Sequence, residues 1–392
     1  MSVAAQEPAA GPAERRIPGL LYSDAERELS AALRSLLTSR CDTKSVLART
    51  ESEQTYDSGL WRAVAADLGC AGLLIPEADG GAGASFREAA AAAEELGRAV
   101  APVPYLGSAV VATTALLALR QDELLAGLAS GEVTAALAVD YATPPGAAFP
   151  LGVRVAGPRP GDTAGGVTRL RGTVSGVADA LPADVLLVPA DGVPAGLYAV
   201  DPRAGGVRRV PVTSLDMTRQ LCDLELADAP ARPVASGEDA ARAMSAALAA
   251  GAGLLASEQV GVAEKCLEMA VSYVKERRQF ARPVGSFQAL KHRLADLWVS
   301  VAQARAAARY AAACLAGSDP DAPVAVALAK AYCSEVAVRA AEECVQMHGG
   351  IAFTWEHPAH LYLKRAKSSA IGFGTPDAHR ASLASLVNLP GA

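Results

Sequence analysis

The feature that most limits how this chain folds is an almost unbroken run of alanine-rich helical sequence after residue 237. Residues 238–275 contain few helix breakers beyond Gly251, Gly253 and Gly261. Further helical segments follow at short intervals, over residues 288–315, 323–348, 358–367 and 376–387. Long helices joined by short loops pack as antiparallel neighbours. We therefore predict a C-terminal domain over residues 236–392, built as a four-helix bundle.

The first third of the chain is also predicted to be helical. Leu29, Leu33 and Leu36 fall on one helix face, and Ser23 is a suitable N-cap for that helix. The predicted helices are 24–39, 60–68, 85–96, 103–119 and 122–128. These segments predict an all-α domain over residues 21–130. Residues 1–20 have no apolar stretch of the kind found in signal peptides, and we predict a disordered arm there.

The middle of the chain has a different pattern. From residue 131 to 235, short β-branched and leucine runs alternate with Gly, Pro and Asp, as in residues 185–188 and 206–212. This spacing is typical of a small β sandwich or barrel. Residues 144–166 are rich in Pro and Gly and are predicted to form long loops. The predicted fold class is α+β, with helical, β and helical domains in that order.

Composition excludes several classes of function. The 392 residues include 36 Lys and Arg against 42 Asp and Glu, a net charge of −6, which argues against nucleic-acid binding. No run of about 20 strongly apolar residues is present, so no membrane-spanning segment is predicted. The seven cysteines form no C-x-x-C pair, which fits reduced thiols in the cytoplasm.

One candidate binding segment follows the first long helix. It consists of Arg277, Arg278, Gln279 and Phe280, ahead of a helix break at Pro283. Guanidinium groups offer planar bidentate donors, so this segment would suit a pyrophosphate, with the aromatic ring stacking on a heterocycle. The alternative is a solvated basic helix end that offsets the helix dipole.

A second candidate segment closes the helix at residues 323–348. Gly349 and Gly350 allow the backbone to turn sharply and to approach a ligand closely, and Gln346 could bind an amide or a ribose. The alternative is an ordinary glycine C-cap.

The histidines at 357 and 360 invite a metal-site interpretation. They are three residues apart, but no third ligand lies near them in the sequence, and a catalytic zinc needs three ligands and a water. We therefore predict no metal site. Because Pro358 marks a helix start, we interpret His357 as a capping-region residue and His360 as part of a helix surface or interface.

Two C-terminal stretches resemble the acyl-CoA dehydrogenase family. They are residues 273–298 (YVKERRQFARPVGSFQALKHRLADLW) and 346–367 (QMHGGIAFTWEHPAHLYLKRAK). The resemblance implies an N-terminal helical domain, a middle β-domain and a C-terminal four-helix bundle, assembled as a dimer of dimers with FAD between subunits. It also implies oxidation of an acyl thioester, carried by CoA or an acyl-carrier protein. A glutamate removes the α-proton, the flavin takes the β-hydride, and electron-transfer flavoprotein is the expected acceptor.

The family places two arginine, glutamine and glycine segments against the FAD of the neighbouring subunit. By resemblance, the cofactor-binding residues of this chain are Arg277, Gln279, Phe280, Gln346, Gly349, Gly350 and Thr375. The first six match the two family motifs. Thr375 is the third residue of the triplet in which most members carry the base.

The remainder of the family's site is poorly matched. Where most members read Glu-Gly-Thr, this chain reads Phe373-Gly374-Thr375, and the second known base position reads Gly251-Ala252. None of these side chains accepts a proton from carbon. The flavin-contacting β-domain stretches correspond to residues 140–148 and 174–179, where the expected hydroxyl groups and ring are mostly missing.

Three hypotheses follow. The first is a subunit, similar to the base-less chain of actinobacterial-type heteromeric acyl-CoA dehydrogenases, that completes the FAD site of a sister chain. The second is a homotetrameric enzyme with a relocated base. Its candidate is Glu258, two turns beyond Gly251, although a buried or interface ion pair is an alternative role for that residue. The third is a flavin-free scaffold that acts as a lyase, a cyclase or a structural partner.

Overall fold

The computed structural model describes residues 18–156 and 168–389. Residues 1–17 of the predicted arm therefore lie outside the described part of the chain. The residues that follow are tied to the domain, because the carbonyl of Gly19 accepts a hydrogen bond from Arg87 and that of Leu20 accepts one from Arg309.

The N-terminal region is helical. Its α-helices are α1 (Asp24–Arg40), α2 (Thr43–Thr50), α3 (Ser58–Arg62), α4 (Phe86–Arg98), α5 (Thr113–Leu119) and α6 (Asp122–Ala129). A π-helical turn at Ala63–Asp67 extends α3, a longer one at Tyr105–Ala112 leads into α5, and short 3-10 turns lie at Cys70–Gly72 and Glu77–Asp79. Capping boxes, Ser23 with Glu26 and Ser85 with Glu88, determine where α1 and α4 begin.

The middle region is one seven-stranded sheet. Its strands are β1 (Ala135–Leu137), β2 (Val153–Ala156), β3 (Thr168–Ala178), β4 (Val185–Ala190), β5 (Gly196–Val200), β6 (Val207–Val212) and β7 (Leu221–Ser236). The strand order is β1-β4-β5-β7-β3-β2, with β6 also on β7; the β1–β4 pair is parallel, and the other strand pairs of the described sheet are antiparallel. The long β7 pairs with β3 and β6 in its first part and with β5 in its last part.

The sheet curls towards closure. Isolated bridges join Asp140 to Val177 and Arg154 to Asp191, so that the β2–β3 edge approaches the β1–β4 edge. Strand β2 corrects one prediction, since it lies within residues 144–166, which were expected to be loop. Four residues among prolines and glycines give a weak pattern, and pairing with β3 determines their conformation. Residues 157–167 lie outside the described part of the chain.

The C-terminal region is again helical. It contains α7 (Gly237–Glu276), α8 (Gln288–Ala316), α9 (Ala322–His348), α10 (Ala359–Ile371) and α11 (Pro376–Leu386). The three long helices pack against one another, and the two shorter helices pack on α9. A small hairpin, β8 (Arg278–Gln279) and β9 (Arg282–Pro283), and a 3-10 turn at Val284–Ser286 connect α7 to α8. The predicted α+β class with a C-terminal helical bundle is confirmed.

Helix α7 joins the two helical regions. It packs very closely against α4, because a Cβ placed on Gly97 would lie 2.1 Å from the carbonyl oxygen of Glu258, and one on Gly261 would lie 1.9 Å from that of Glu94. In the described part of the chain, α7 is the helix long and apolar enough to cross a membrane, yet 89% of its apolar window is buried within the protein. It is the central helix of the fold.

Candidate functional site

The structure brings the two predicted binding segments together. The ring of Tyr273, near the end of α7, lies 4.4 Å from the ring of His348, the last residue of α9. Val274 and Met347 share a small apolar cluster against which Val284 packs. The segment after α7 and the segment after α9 therefore lie side by side at one end of the helical bundle.

The first segment, which we call the basic hairpin, spans residues 277–283. Phe280 and Ala281 occupy its two-residue turn, with φ of 52° and 63°, a left-handed conformation that disfavours side chains. The ring of Phe280 is 85% exposed. Arg277 and Arg278 are exposed and make no ion pair within the described residues. The hairpin thus presents an aromatic ring and unpaired guanidinium groups to the outside.

The second segment, which we call the glycine turn, is the 3-10 turn Gly349–Phe353. Gly349 ends α9 with φ of 64°, and its N–H bonds to the carbonyl of Val345. A Cβ placed on Gly349 or Gly350 would meet nothing within 4 Å, so neither glycine is required by packing within this chain. The open backbone is accessible to a ligand, and Gln346 is exposed beside it.

Large apolar side chains are exposed on or next to each of the two segments. Phe353 is 81% exposed, Trp355 is 68% exposed and Ile351 is half-exposed. Together with Phe280 they form what we call the aromatic surface. A cluster of exposed large apolar groups rimmed by polar residues marks an interaction site.

The two positions where family members carry the base are occupied here by Phe373 and Gly251, and the ring of Phe373 stands where a carboxylate is expected. Phe373 has φ of 52°, and its side chain is buried. A Cβ placed on Gly251 would lie 2.8 Å from that ring and 2.9 Å from Val111, so the ring lies directly on the helix backbone. Tyr141 packs edge-on to Phe373 with ring centroids 5.7 Å apart. The two rings fill the space next to Gly251.

The loop that carries Phe373 is held on three sides. The N–H of Phe373 donates a hydrogen bond to the carbonyl of Tyr141 at 2.7 Å, and the carbonyl of Phe373 accepts one from Nε2 of His379 at 2.8 Å. Nζ of the fully buried Lys330 donates to the carbonyl of Gly374 at 3.1 Å and to Ser334 at 3.0 Å. Burial lowers the pKa of His379 to about 4 and that of Lys330 to about 7.

Thr375 lies in this second region and not with the other six predicted residues. Its Oγ1 accepts a hydrogen bond from the N–H of Ala378 at 3.3 Å, so it caps α11. Gly251, beside the Phe373 ring, and Arg277 stand at different points of α7, roughly 39 Å apart at 1.5 Å per residue. The chain therefore has two separate candidate regions.

Glu258, the candidate relocated base, lies in a buried charge cluster. Both of its carboxylate oxygens are 2.6 Å from Arg219, and Arg365 is 3.2 Å away. Arg365 also lies 3.2 Å from Asp216. Burial alone would raise the pKa of Glu258, but Arg219 and Arg365 outweigh it and lower the pKa. A carboxylate held by two cations is a weak base, and this geometry favours the ion-pair role.

A cavity of about 510 Å³ lies next to the Phe373 loop. It is bounded by the loop before β2, the first part of α7, the start of α9 and α11, with His379 and Ser382 among its few polar groups. Among the described residues, no arginine, lysine, aspartate or glutamate lines it. The phosphate groups of a CoA thioester would find no cation there.

Sequence reasoning missed several residues of this second region. Tyr141 lay within a stretch already considered, but nothing in the sequence indicated that its ring packs on Phe373. Lys330 carried a signal, because a lone lysine inside the apolar run of α9 is a candidate buried charge. Glu258 pairs with Arg219 and Arg365, which are 39 and 107 residues away in the sequence. Nothing in the sequence indicated these two ion pairs.

Comparisons with known proteins agree with the resemblance. Residues 23–132 match the family described as "Acyl-CoA dehydrogenase, N-terminal domain", and residues 240–387 match "Acyl-CoA dehydrogenase, C-terminal domain". Acyl-CoA dehydrogenase IpdE2 of Mycolicibacterium smegmatis is 36% identical over 353 residues, covering 90% of this chain and 95% of that protein. IpdE2 of Mycobacterium tuberculosis is 37% identical over 344 residues, covering 87% and 91%.

Solved structures give the same result. A chain of the ChsE4-ChsE5 complex from Mycobacterium tuberculosis superposes with a TM-score of 0.82 at 28% identity, covering 96% of this chain and all of that chain. The Tcur3481-Tcur3483 steroid acyl-CoA dehydrogenase variant gives a TM-score of 0.79 at 31% identity, covering 93% and 98%. The chain belongs to the acyl-CoA dehydrogenase family, whose members are flavoprotein oxidoreductases acting on CH-CH groups.

Proposed function

We propose that this chain is the subunit of a heteromeric acyl-CoA dehydrogenase that completes the FAD site of a partner chain and does not carry out the desaturation itself. The observation that carries the proposal is the contrast between the two regions. The six residues of the two family motifs lie on neighbouring segments and are exposed, apart from the half-buried Gly349, whereas the region that would hold a base is filled by the rings of Phe373 and Tyr141.

The partner-facing residues fit a dinucleotide. Arg277 and Arg278 lack intramolecular ion partners within the described chain and offer bidentate donors to a pyrophosphate. The glycine turn leaves room for a ligand to approach its backbone closely, and Gln279 and Gln346 add amide groups. Phe280 offers an exposed ring face to a heterocycle. When bound, FAD supplies the electron acceptor of the desaturation, and these residues bind and orient it.

The region around Phe373 supplies neither a catalytic base nor a binding site for the phosphates of CoA. Neither Phe373 nor Gly251 accepts a proton, and Glu258 is bound by Arg219 and Arg365. The adjacent cavity has no cation for the phosphates of CoA. The base and most of the thioester contacts must then come from the partner.

The relatives support a partner of the same family. Two of the similar structures, ChsE4-ChsE5 and Tcur3481-Tcur3483, are two-protein assemblies, and the second is a steroid acyl-CoA dehydrogenase. We therefore propose a cytoplasmic dimer of dimers with a sister chain. The proposed substrate is an acyl thioester, carried by CoA or by an acyl-carrier protein. Thioesters with steroid-derived acyl groups should be tested first. The expected electron acceptor is electron-transfer flavoprotein.

Co-expression tests this proposal. We expect the chain purified alone to show no flavin absorbance, and the chain purified with a sister that carries a glutamate base to be yellow and to dehydrogenate an acyl thioester. A yellow, active homomer would contradict the proposal and support the homotetramer with Glu258 as base. Absence of flavin with every related sister would support the flavin-free scaffold.

A further inference from the structure

The segment between α9 and α10, residues 349–358, carries the glycine turn and most of the aromatic surface. Ala352 is its buried side chain in the core, whereas Phe353 and Trp355 are exposed, with Trp355 lying against His360 and Lys364 of α10. Ring contacts at its two ends provide an anchor. His348 lies between Tyr273 and His357, with centroid distances of 4.4 Å and 4.3 Å. This three-ring stack connects α7, α9 and the segment that leads into α10.

His357 also caps the next helix. Its Nδ1 accepts a hydrogen bond from the N–H of Ala359, the first residue of α10, at 3.2 Å. That acceptor role needs a free lone pair on Nδ1, which only the neutral ring with its proton on Nε2 provides. His348 uses its Nδ1 towards the carbonyl of Cys344, at 2.7 Å. Both imidazoles of the stack are thus fixed by a backbone partner.

The groups that face His357 disfavour a positive charge on it. They are His348 in the stack and His360 on α10. Behind them, Cys344 on α9 and Tyr273 on α7 contact His348, and Lys364 on α10 acts on His360. Burial, then His348, then His360 lower the pKa of His357. The contact of His348 with Cys344 outweighs burial and raises the pKa of His348. His348 therefore takes the first proton, and a second charge 4.3 Å away is repelled.

We propose that neutral His357 is the positioning residue of the partner-facing segment, and that its protonation in acid releases that segment. Protonation removes the cap on α10 and places two cations in contact in the stack. The glycine turn then loses the contacts through His357 that connect it to α7, α9 and the start of α10. The metal alternative for this motif has no support, since the described residues contain no group of three His, Cys, Asp or Glu able to hold an ion.

The sharpest test replaces His357→Asn. An asparagine side-chain oxygen accepts from the N–H two residues ahead, as His357 does, but it does not titrate. The control is His292→Asn, an exposed histidine on α8 that has no hydrogen bond or ring contact with residues 349–358 within the described chain. The readout is hydrogen-exchange protection of residues 349–358 in the isolated chain, followed from about pH 8 to about pH 5.

We expect protection of wild type and His292→Asn to fall about tenfold in acid, the effect of losing one helix cap. Protection of His357→Asn should stay constant. Constant protection in wild type, or an equal loss in His357→Asn, would overturn the proposal. An NMR titration of His357 in wild type needs no variant, and a pKa at or above the ordinary histidine value would also overturn it.

A second arm, which rests on the proposed function, measures flavin retention in the heteromer over the same pH range. Release in acid from wild type and not from His357→Asn supports a positioning role towards the partner site. If the isolated chain shows the predicted exchange pattern but the heteromer binds no flavin, the proposed function fails and the role of His357 stands.

Discussion

At the scale of single residues, the contrast between Phe373 and Phe353 summarises the two regions. Both are phenylalanines on the loops that flank α10, but Phe373 is 5% exposed and packs on Gly251, whereas Phe353 is 81% exposed. Their contributions to the stability of the isolated chain must therefore differ strongly.

We expect Phe373→Ala to lower the free energy of unfolding of the isolated chain by about 3–4 kcal/mol, since it leaves a cavity in a packed core. Phe353→Ala should change it by less than about 0.5 kcal/mol, as is usual for exposed positions, but it should weaken pairing with the sister chain. Denaturant unfolding of both variants checks this. Equal losses of stability in the two variants would mean that Phe353 packs within this chain, and they would contradict its proposed role in pairing with the sister chain.

Lys330 predicts a dependence of stability on pH. Burial lowers its pKa from 10.5 to about 7, so between these values the unfolded chain binds a proton that the folded chain does not. The stability contributed by this group therefore rises as pH increases from about 7 to about 10.5, and it is constant below that window. The difference in unfolding free energy between wild type and Lys330→Met isolates the effect. A difference that does not change with pH would contradict it.

At the scale of elements, the crossing of α4 and α7 depends on glycine. Gly261→Ala should destabilise the chain by about 1–3 kcal/mol, because its Cβ would lie 1.9 Å from the carbonyl oxygen of Glu94. Helix propensity alone predicts the opposite sign, a gain of up to about 1 kcal/mol. Gly317→Ala is the control, since its Cβ would meet only Ala313 at an ordinary 3.5 Å. Thermal unfolding that ranks the two variants equally would contradict the close crossing.

The elements also show which parts of the fold the sequence predicted. The long helices carried clear patterns, and the predicted 238–275 became Gly237–Glu276. The four-residue strand Val153–Ala156 had too little pattern of its own, because its conformation depends on pairing with Arg169–Gly172. Contacts between residues far apart in sequence, such as Arg219 with Glu258, likewise follow only from the assembled fold.

The binding segments illustrate the same limit. Residue types and family spacing predict that Arg277 and Gly349 serve one cofactor, and the Tyr273–His348 contact shows that two segments about 70 residues apart in the chain lie side by side. The sequence also showed that a base was missing at 373. It did not show that the ring there fills the space, since that depends on Gly251 and Tyr141.

At the scale of the whole molecule, the proposed function predicts that the six motif residues affect a cofactor bound in the heteromer. We expect Arg277→Gln to weaken FAD retention in the heteromer by about tenfold or more, the effect of losing one charge-assisted hydrogen bond, without changing the stability of the isolated chain. Arg242→Gln, on an exposed part of the same helix near its other end, is the control. Equal retention in both variants would place Arg277 away from the cofactor.

The molecule as a whole is an acyl-CoA dehydrogenase fold in which one region is kept open at the surface and the other is filled. The ratio of flavin to polypeptide in the purified heteromer tests this division most directly. If this chain contributes only to sites held mainly by its sister, an assembly with equal numbers of the two chains will contain one FAD for every two polypeptides. One FAD for every polypeptide would mean that this chain holds a flavin of its own, and it would contradict the account.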